Sequence, residues 1–196
     1  MRTEIIERKL YKFEELSEEA KDKAIEKLYD INIDYDWWDS DFYDFKEIGK
    51  IMGIKITNIY FSGFSYQGDG ACFEGEYFYN KGCLKELKEY APTDEKLHQI
   101  AKDLQLIQKD AFYHLYAYVK HRGHYNHEMC TEIDVRNDVN ELTNEQDEQI
   151  KDALRDFMRW IYRQLEKQYE YLTSEEAIKE TIEANEYEFT DNGELA

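Results

Sequence analysis

Apolar and polar positions alternate with two different periods along the chain, and the switches between them predict helices, hairpin, helices, hairpin, helices. Ala20, Ala24, Leu28 and Ile31 recur at helical spacing behind Ser17. Serine is a good N-cap, and Glu18 and Glu19 follow where a helix dipole favours negative charge. A second helix is expected from about Asp34 to Met52, its inward stripe being Tyr35, Trp38, Phe42, Phe45, Ile48 and Met52, with Gly53 as its stop. The period then drops to two. Ile54–Phe61 is rich in β-branched and aromatic residues, and after the turn Gln67-Gly68-Asp69-Gly70 a partner strand alternates cleanly. Ala71, Phe73, Tyr77 and Tyr79 share one face, with Cys72, Glu74 and Glu76 on the other.

Helical spacing returns with a short segment from Gly82 to Pro92, then a helix with Leu97, Ile100, Leu104 and Ile107 as its stripe and Thr93 as its expected cap. In a second hairpin, Tyr113, Leu115, Ala117, Val119 and His121 face His127, Met129, Thr131, Ile133 and Val135. A loop at Arg122–Asn126 would set His121 opposite His127. Thr143-x-x-Gln146 is a capping box opening a long helix over residues 144–171, with Ile150, Leu154, Phe157, Ile161 and Leu165 as its seam. Thr173-x-x-Glu176 opens another helix in the same way, and Tyr187-Glu188-Phe189 reads as a short strand before the Asp191-Asn192-Gly193 turn. Residues 4–12 alternate loosely, as an edge strand or an extended arm would. The expected fold is α+β: an antiparallel sheet built from two β-hairpins, with acidic helices packed mainly on one face. One domain over residues 1–196 would place acidic helical flanks, 13–52 and 143–186, around a hairpin-helix-hairpin core, 54–135.

Charge sharpens this picture. The 196 residues carry a net −19, with 42% hydrophobic and 15% aromatic residues. The aromatic content supports a packed core in spite of the charge. Residues 13–47 carry −9 and residues 132–196 carry −12, while residues 48–131 balance at zero. Such a field repels nucleic acid and steers basic partners, although solubility alone also explains it. No run of about 18 apolar residues is present, so no membrane span is expected. The N-terminus MRTEIIERKLYKF is too charged for a signal peptide. Three cysteines without CxxC spacing fit reduced thiols in the cytoplasm.

Four groups of residues carry candidate chemistry. His121, His124, His127 and Glu128 are chemically suited to a divalent metal, with His121, His127 and Glu128 as the ligands if one binds, but their spacing matches no established metal motif. If both hairpin tips lie at one end of the sheet, Gln67 and Asp69 join His121, His124 and His127 in a polar ligand site for sequestering or hydrolysing a nucleotide. The run Asp34, Asp36, Trp37, Asp39, Asp41 and Asp44 lacks the glycine and terminal glutamate of an EF-hand loop. It reads better as a protein-binding face in which aromatics supply contact energy and carboxylates steer approach. Glu175, Glu176, Glu180 and Glu183 make a second such face. The basic ladder Lys151, Arg155, Arg159, Arg163 and Lys167 reads as internal charge pairing more readily than as a phosphate site. No nucleophile–base motif nominates a reaction, so the chain leans towards binding, with no cofactor expected.

The segments LYKFEELSEEAKDKAIEKL, DYDWWDSDFYDF, FSGFSYQGDGACFEG, HRGHYNHE and EYEFTDNGE together resemble a family of uncharacterised phage and prophage proteins. Its members often carry the label "antitoxin of toxin-antitoxin stability system". The resemblance implies a mobile-element protein in the host bacterial cytoplasm and carries no residue roles with it. With the acidic flanks it leads to the expectation of an inhibitor of a host defence complex, CRISPR-type or otherwise nucleic-acid-targeting. Its carboxylate faces would stand in for DNA, so its partner would be a basic protein or ribonucleoprotein, with no direct nucleic-acid binding and no membrane contact. An antitoxin-like regulatory module neutralising a basic partner is the alternative.

Overall fold

A computed structural model describes residue 1 and residues 8–196. The elements in chain order are β1 (Tyr11–Lys12), α1 (Glu18–Lys27), α2 (Asp39–Met52), β2 (Ile54–Phe61), β3 (Ala71–Phe78), α3 (Cys83–Tyr90), α4 (Glu95–Asp110), β4 (Leu115–His121), β5 (Thr131–Asn137), α5 (Asn144–Leu172), α6 (Glu175–Ala184) and β6 (Glu188–Phe189). Single 3-10 turns lie at Phe13–Glu15 and Glu128–Cys130. The fold is α+β with antiparallel sheets, as the alternating periods imply. Of the expected N-terminal arm, Tyr11–Lys12 is a strand, and residues 4–7 lie outside the described residues.

The chain divides into two compact units, residues 1–37 with 167–196 and residues 38–166. The acidic flank 13–52 is therefore shared between units, and α5 changes unit at Glu166/Lys167. In the smaller unit β1 pairs antiparallel with β6, Tyr11 with Phe189 and Lys12 with Glu188. Its core is Phe13, Leu16, Ala20, Ala24, Ile178, Ile182 and Phe189, drawn from the inward stripes of α1 and α6. The side chain of buried Asn32 donates to the Leu172 carbonyl (3.0 Å) and accepts from the Thr181 hydroxyl (2.7 Å), so its polar atoms are satisfied. Ser17 caps α1 as expected. The cap of α6 is Ser174, one residue beyond the expected Thr173, whose hydroxyl instead donates to the Tyr169 carbonyl of the preceding turn.

In the larger unit four antiparallel strands run in the order β2-β3-β4-β5. Ile54, Ile59, Phe73, Tyr77, Leu115, Ala117, Val119, Ile133 and Val135 line the inner face and are buried. Helices cover it. Phe157 of α5 meets Phe73 edge-on at 5.9 Å, Phe45 of α2 meets Trp160 at 5.4 Å, and Gln108 of α4 bonds the Tyr77 hydroxyl. On the outer face Lys55, Phe78, Lys120, Glu132, Asp134 and Arg136 stand exposed. Cys72 is an exception on that face, being buried.

Several local expectations need correction. Helix α2 starts at Asp39, not Asp34, and residues 30–35 form turns ahead of it. Tyr35 is consequently 62% exposed and not part of an inward stripe. Asp94, not Thr93, caps α4: one carboxylate oxygen accepts the Leu97 N–H (2.9 Å) and the other the Trp160 indole N–H (2.7 Å). The capping box of α5 forms in both directions between Thr143 and Gln146. His121 pairs with Thr131 rather than His127, because the second hairpin loop spans residues 122–130 and includes the Glu128–Cys130 turn. The slip is an even number of residues, so Thr131, Ile133 and Val135 keep their expected face. His127 and Met129 fall in the loop instead, and Tyr113, at positive φ ahead of β4, stands outside the strand and exposed.

Candidate functional site

The two hairpin tips do lie at the same end of the four-stranded sheet. The side-chain amide of Asn126 donates to the Phe61 carbonyl (2.8 Å), and Gly70 lies directly against His127. A β-carbon on Gly70 would stand 2.9 Å from the His127 ring, so glycine is what lets the two loops touch. The functional side chains nevertheless turn back into their own loops. Asp69 accepts the N–H groups of Ser65 (2.9 Å) and Tyr66 (2.7 Å), which closes the first tip, while Gln67 is exposed. A ring nitrogen of His121 lies 3.0 Å from the Tyr125 carbonyl, and its ring stacks on Tyr60 at 4.8 Å. His124 packs edge-on against Tyr125. His127 Nδ1 lies 3.0 Å from Glu128 and 3.2 Å from the Met129 N–H.

Helix α5 anchors both tips. Arg159 donates to Glu128 (2.9 Å) in the second loop, and the Tyr162 hydroxyl donates to the Gly63 carbonyl (3.2 Å) in the first. Phe64 stacks on Tyr162 at 5.4 Å. The proximity expected of Gln67, Asp69, His121, His124 and His127 is thus that of two clamped loops touching through Gly70 and Asn126. Among the described residues no three His, Cys, Asp or Glu side chains converge in a geometry that holds a metal ion. Along the basic ladder Lys151, Arg155, Arg159 and Arg163 each pair with a carboxylate, mostly within α5.

Carboxylates dominate the remaining surface. In the smaller unit, whose net charge is −11, Asp34, Asp36, Glu175, Glu176, Glu180 and Glu183 are all exposed. Aromatic residues flank them: Tyr171 donates to Glu180 (3.4 Å), and Tyr35 is exposed. Trp37, expected as an exposed contact aromatic, is instead buried, its ring 6.1 Å from that of Tyr169. In the larger unit Asp39 is exposed at the start of α2. Asp41 is half-buried, and desolvation with the neighbouring Asp44 raises its carboxyl above the usual range. Asp44 accepts a short hydrogen bond from the Tyr90 hydroxyl, and that bond pushes the Tyr90 phenol up to about 12.

A groove of about 590 Å³ between α4 and α5 adds carboxylates that pattern reading passed over. Asp103, Asp152 and Asp156 line it, with Leu106 and Ile107 supplying apolar surface and Arg159 at one side. Burial pushes Asp156 up, but hydrogen bonds from Lys96 (2.6 Å) and Arg159 (2.6 Å) outweigh it and hold the carboxyl low. Asp152 and Asp156 stand four apart on one helix, a signal visible in the sequence, whereas Asp103 joins them only through packing.

The family described as Domain of unknown function (DUF8835) matches residues 37–175. No curated protein and no solved structure matches the chain. Among the described residues no helix is long and apolar enough to cross a membrane.

Proposed function

The chain belongs to the DUF8835 family, and from that premise we propose that it acts by binding a basic protein or ribonucleoprotein through its carboxylate surfaces. In a bacterial host carrying the mobile element that the sequence resembles, the partner is a nucleic-acid-targeting defence complex and the outcome is inhibition. The observation that carries the reading is the exposed glutamate stripe of α6, set in a unit of net −11, with the exposed Tyr171 bonded to its Glu180. Glu176, Glu180 and Glu183 rise along the helix in steps of about 6 Å and about 4.5 Å. Those steps are of the same order as the axial rise of about 3.4 Å per phosphate on one DNA strand. The α4–α5 groove supports the same reading, because Lys96 already shows how a lysine seats on Asp156. A partner's Lys or Arg would lay its aliphatic stem on Leu106 and its charge on Asp103 or Asp152.

The antitoxin-like reading differs only in the partner, a toxin in place of a defence complex, and uses the same surfaces. The test is quantitative inhibition of a purified nucleic-acid-targeting complex by the full chain across a salt series. Replacing Glu175, Glu176, Glu180 and Glu183 together by lysine is expected to weaken inhibition at least about tenfold and flatten its salt dependence. Inhibition that survives this reversal unchanged, or that ignores salt, would sink the proposal.

A further inference from the structure

The outer face of the four-stranded sheet is unlike the rest of the surface. On a chain of net −19, it carries Lys55, Lys120 and Arg136 against Glu74, Glu76, Glu132 and Asp134. Aromatic rings pave its centre. Phe78, 47% exposed, stacks on Tyr116 at 5.6 Å and 5°, and Tyr116 meets Tyr118 edge-on at 5.8 Å. The Arg136 guanidinium lies over the Tyr118 ring at 5.5 Å. Exposed stacked aromatics with balanced charge are the composition of a protein–protein contact rather than of a surface for a polyanion.

Register makes the face self-complementary. Three rows cross the sheet: Asn58–Glu74 and Lys120–Glu132, one step past the last β3–β4 pair, Gly75 with Val119; then Lys55, Glu76, Tyr118, Asp134; then Phe78, Tyr116, Arg136. A two-fold axis parallel to the strands, between β3 and β4, keeps each row and reverses its order. It sets Lys55 opposite Asp134 of a second copy and Phe78 opposite Tyr116, and it brings Lys120 over Glu74, whose carboxylate is already held by Asn58, Tyr60 and the His121 N–H of its own chain. No like charges meet in any row. We propose that this face binds a second copy of the chain, sheet on sheet, in a two-fold dimer. Charge supports that occupant, since two chains of net −19 repel one another over their carboxylate surfaces and this near-neutral face is where they can approach. The platform measures about 23 Å along the strands by about 19 Å across, which suits a weak, concentration-dependent dimer.

Lys55 and Asp134 sit on opposite edge strands of one chain, about 14 Å apart, so they meet only across the dimer, where Lys55 would join the Arg136 from which Asp134 accepts at 2.7 Å in its own chain. Sedimentation equilibrium of the full chain over a concentration series is expected to show the mass rising from one chain to two. Lys55→Asp and Asp134→Lys, both exposed positions, should each weaken association by about tenfold or more, because the two-fold axis counts every contact twice. The double variant should associate more strongly than either single one, since Asp at 55 and Lys at 134 re-pair across the axis, but short of the starting protein because Lys at 134 stands beside Arg136. A single-chain mass at every concentration overturns the proposal. So does a dimer that the single variants leave intact, or a double variant no better than either single one.

Discussion

Gln108 is the residue whose loss should cost the larger unit most for the smallest change in shape. It is fully buried near the end of α4, in the stripe that otherwise presents Leu104 and Ile107. Its side-chain nitrogen donates to the Leu115 carbonyl (2.6 Å) and to the Tyr77 hydroxyl (3.3 Å), and its oxygen accepts the Leu115 N–H (3.2 Å). The amide thus substitutes for a neighbouring strand at the first residue of β4, just after the chain has turned through Phe112 and Tyr113 at positive φ. Gln108→Leu keeps the volume and removes all three bonds. Leu115 is buried, so its N–H and C=O would be left without partners, at about 1–3 kcal/mol each. Allowing for partial relaxation, a loss of about 3 kcal/mol is expected. Urea unfolding followed by tryptophan fluorescence would read this as a midpoint lowered by about 1–2 M. The Leu115 amide should also exchange its hydrogen faster than its neighbours in β4. Gln105→Leu, a less buried position on the same helix, is the control, with a change within about 0.5 kcal/mol. If Gln108→Leu unfolds at the same urea concentration as Gln105→Leu, the surrogate-strand account is wrong.

Gly193 has φ +81, and a β-carbon there would stand 2.1 Å from the Ala20 carbonyl oxygen. Gly193→Ala should therefore destabilise the smaller unit by about 2 kcal/mol or more, while Gly68→Ala, with φ +99 in open space, pays only the backbone term; thermal melts compare them. The Tyr90 phenol is raised to about 12 by its hydrogen bond to Asp44, above the unfolded value near 10. A raised folded value contributes stability that is full below pH 10 and is lost as the pH climbs through about 12, and Asp44→Asn should move one tyrosine's absorbance titration back towards 10. Burial pushes the Cys72 thiol up to about 12 and raises Cys83, whereas Cys130 is only half-buried. One thiol of three should react promptly with a disulfide reagent at neutral pH, and the other two only after denaturant is added.

Element existence was legible because long stripes and clean alternation leave few choices: β2 runs Ile54–Phe61 and the α5 seam from Ile150 to Leu165 is buried, both as the pattern implies. Boundaries were less legible where two cap residues adjoin. Thr93 and Asp94, or Thr173 and Ser174, are both competent in sequence, and the choice falls to what else each can bond: Asp94 also reaches Trp160, and Thr173 satisfies the Tyr169 carbonyl. The hairpin register depended on loop length, which no periodicity encodes. Trp37 misled because its acidic neighbours imply solvent, yet the turn before α2 points its ring inward. Of the candidate site, the exposed glutamates of α6 follow from helical phase alone. The groove between α4 and α5 and the rows of the outer sheet face depend on contacts distant in sequence.

The sheet face and the carboxylate surfaces bear on one another through valency. A two-fold dimer presents each acidic surface twice, and a partner with repeated basic sites would then bind by avidity rather than by a single weak contact. Charge and dimerisation can be separated because the two dimer-breaking variants change net charge in opposite directions. Lys55→Asp makes the chain more acidic and Asp134→Lys less so, yet both remove the contact between these two positions, the second also freeing Arg136 from its own-chain partner. If avidity matters, both should weaken inhibition by a similar factor, about tenfold or more where the partner engages two copies at once. The double variant, with net charge unchanged, should recover it in part. If only overall charge matters, Lys55→Asp should inhibit at least as well as the starting chain and Asp134→Lys worse. Reversal of the α6 glutamates completes the comparison: it should weaken inhibition at least about tenfold while the chain still dimerises, since those residues lie on none of the three sheet rows and the lower net charge reduces repulsion between copies.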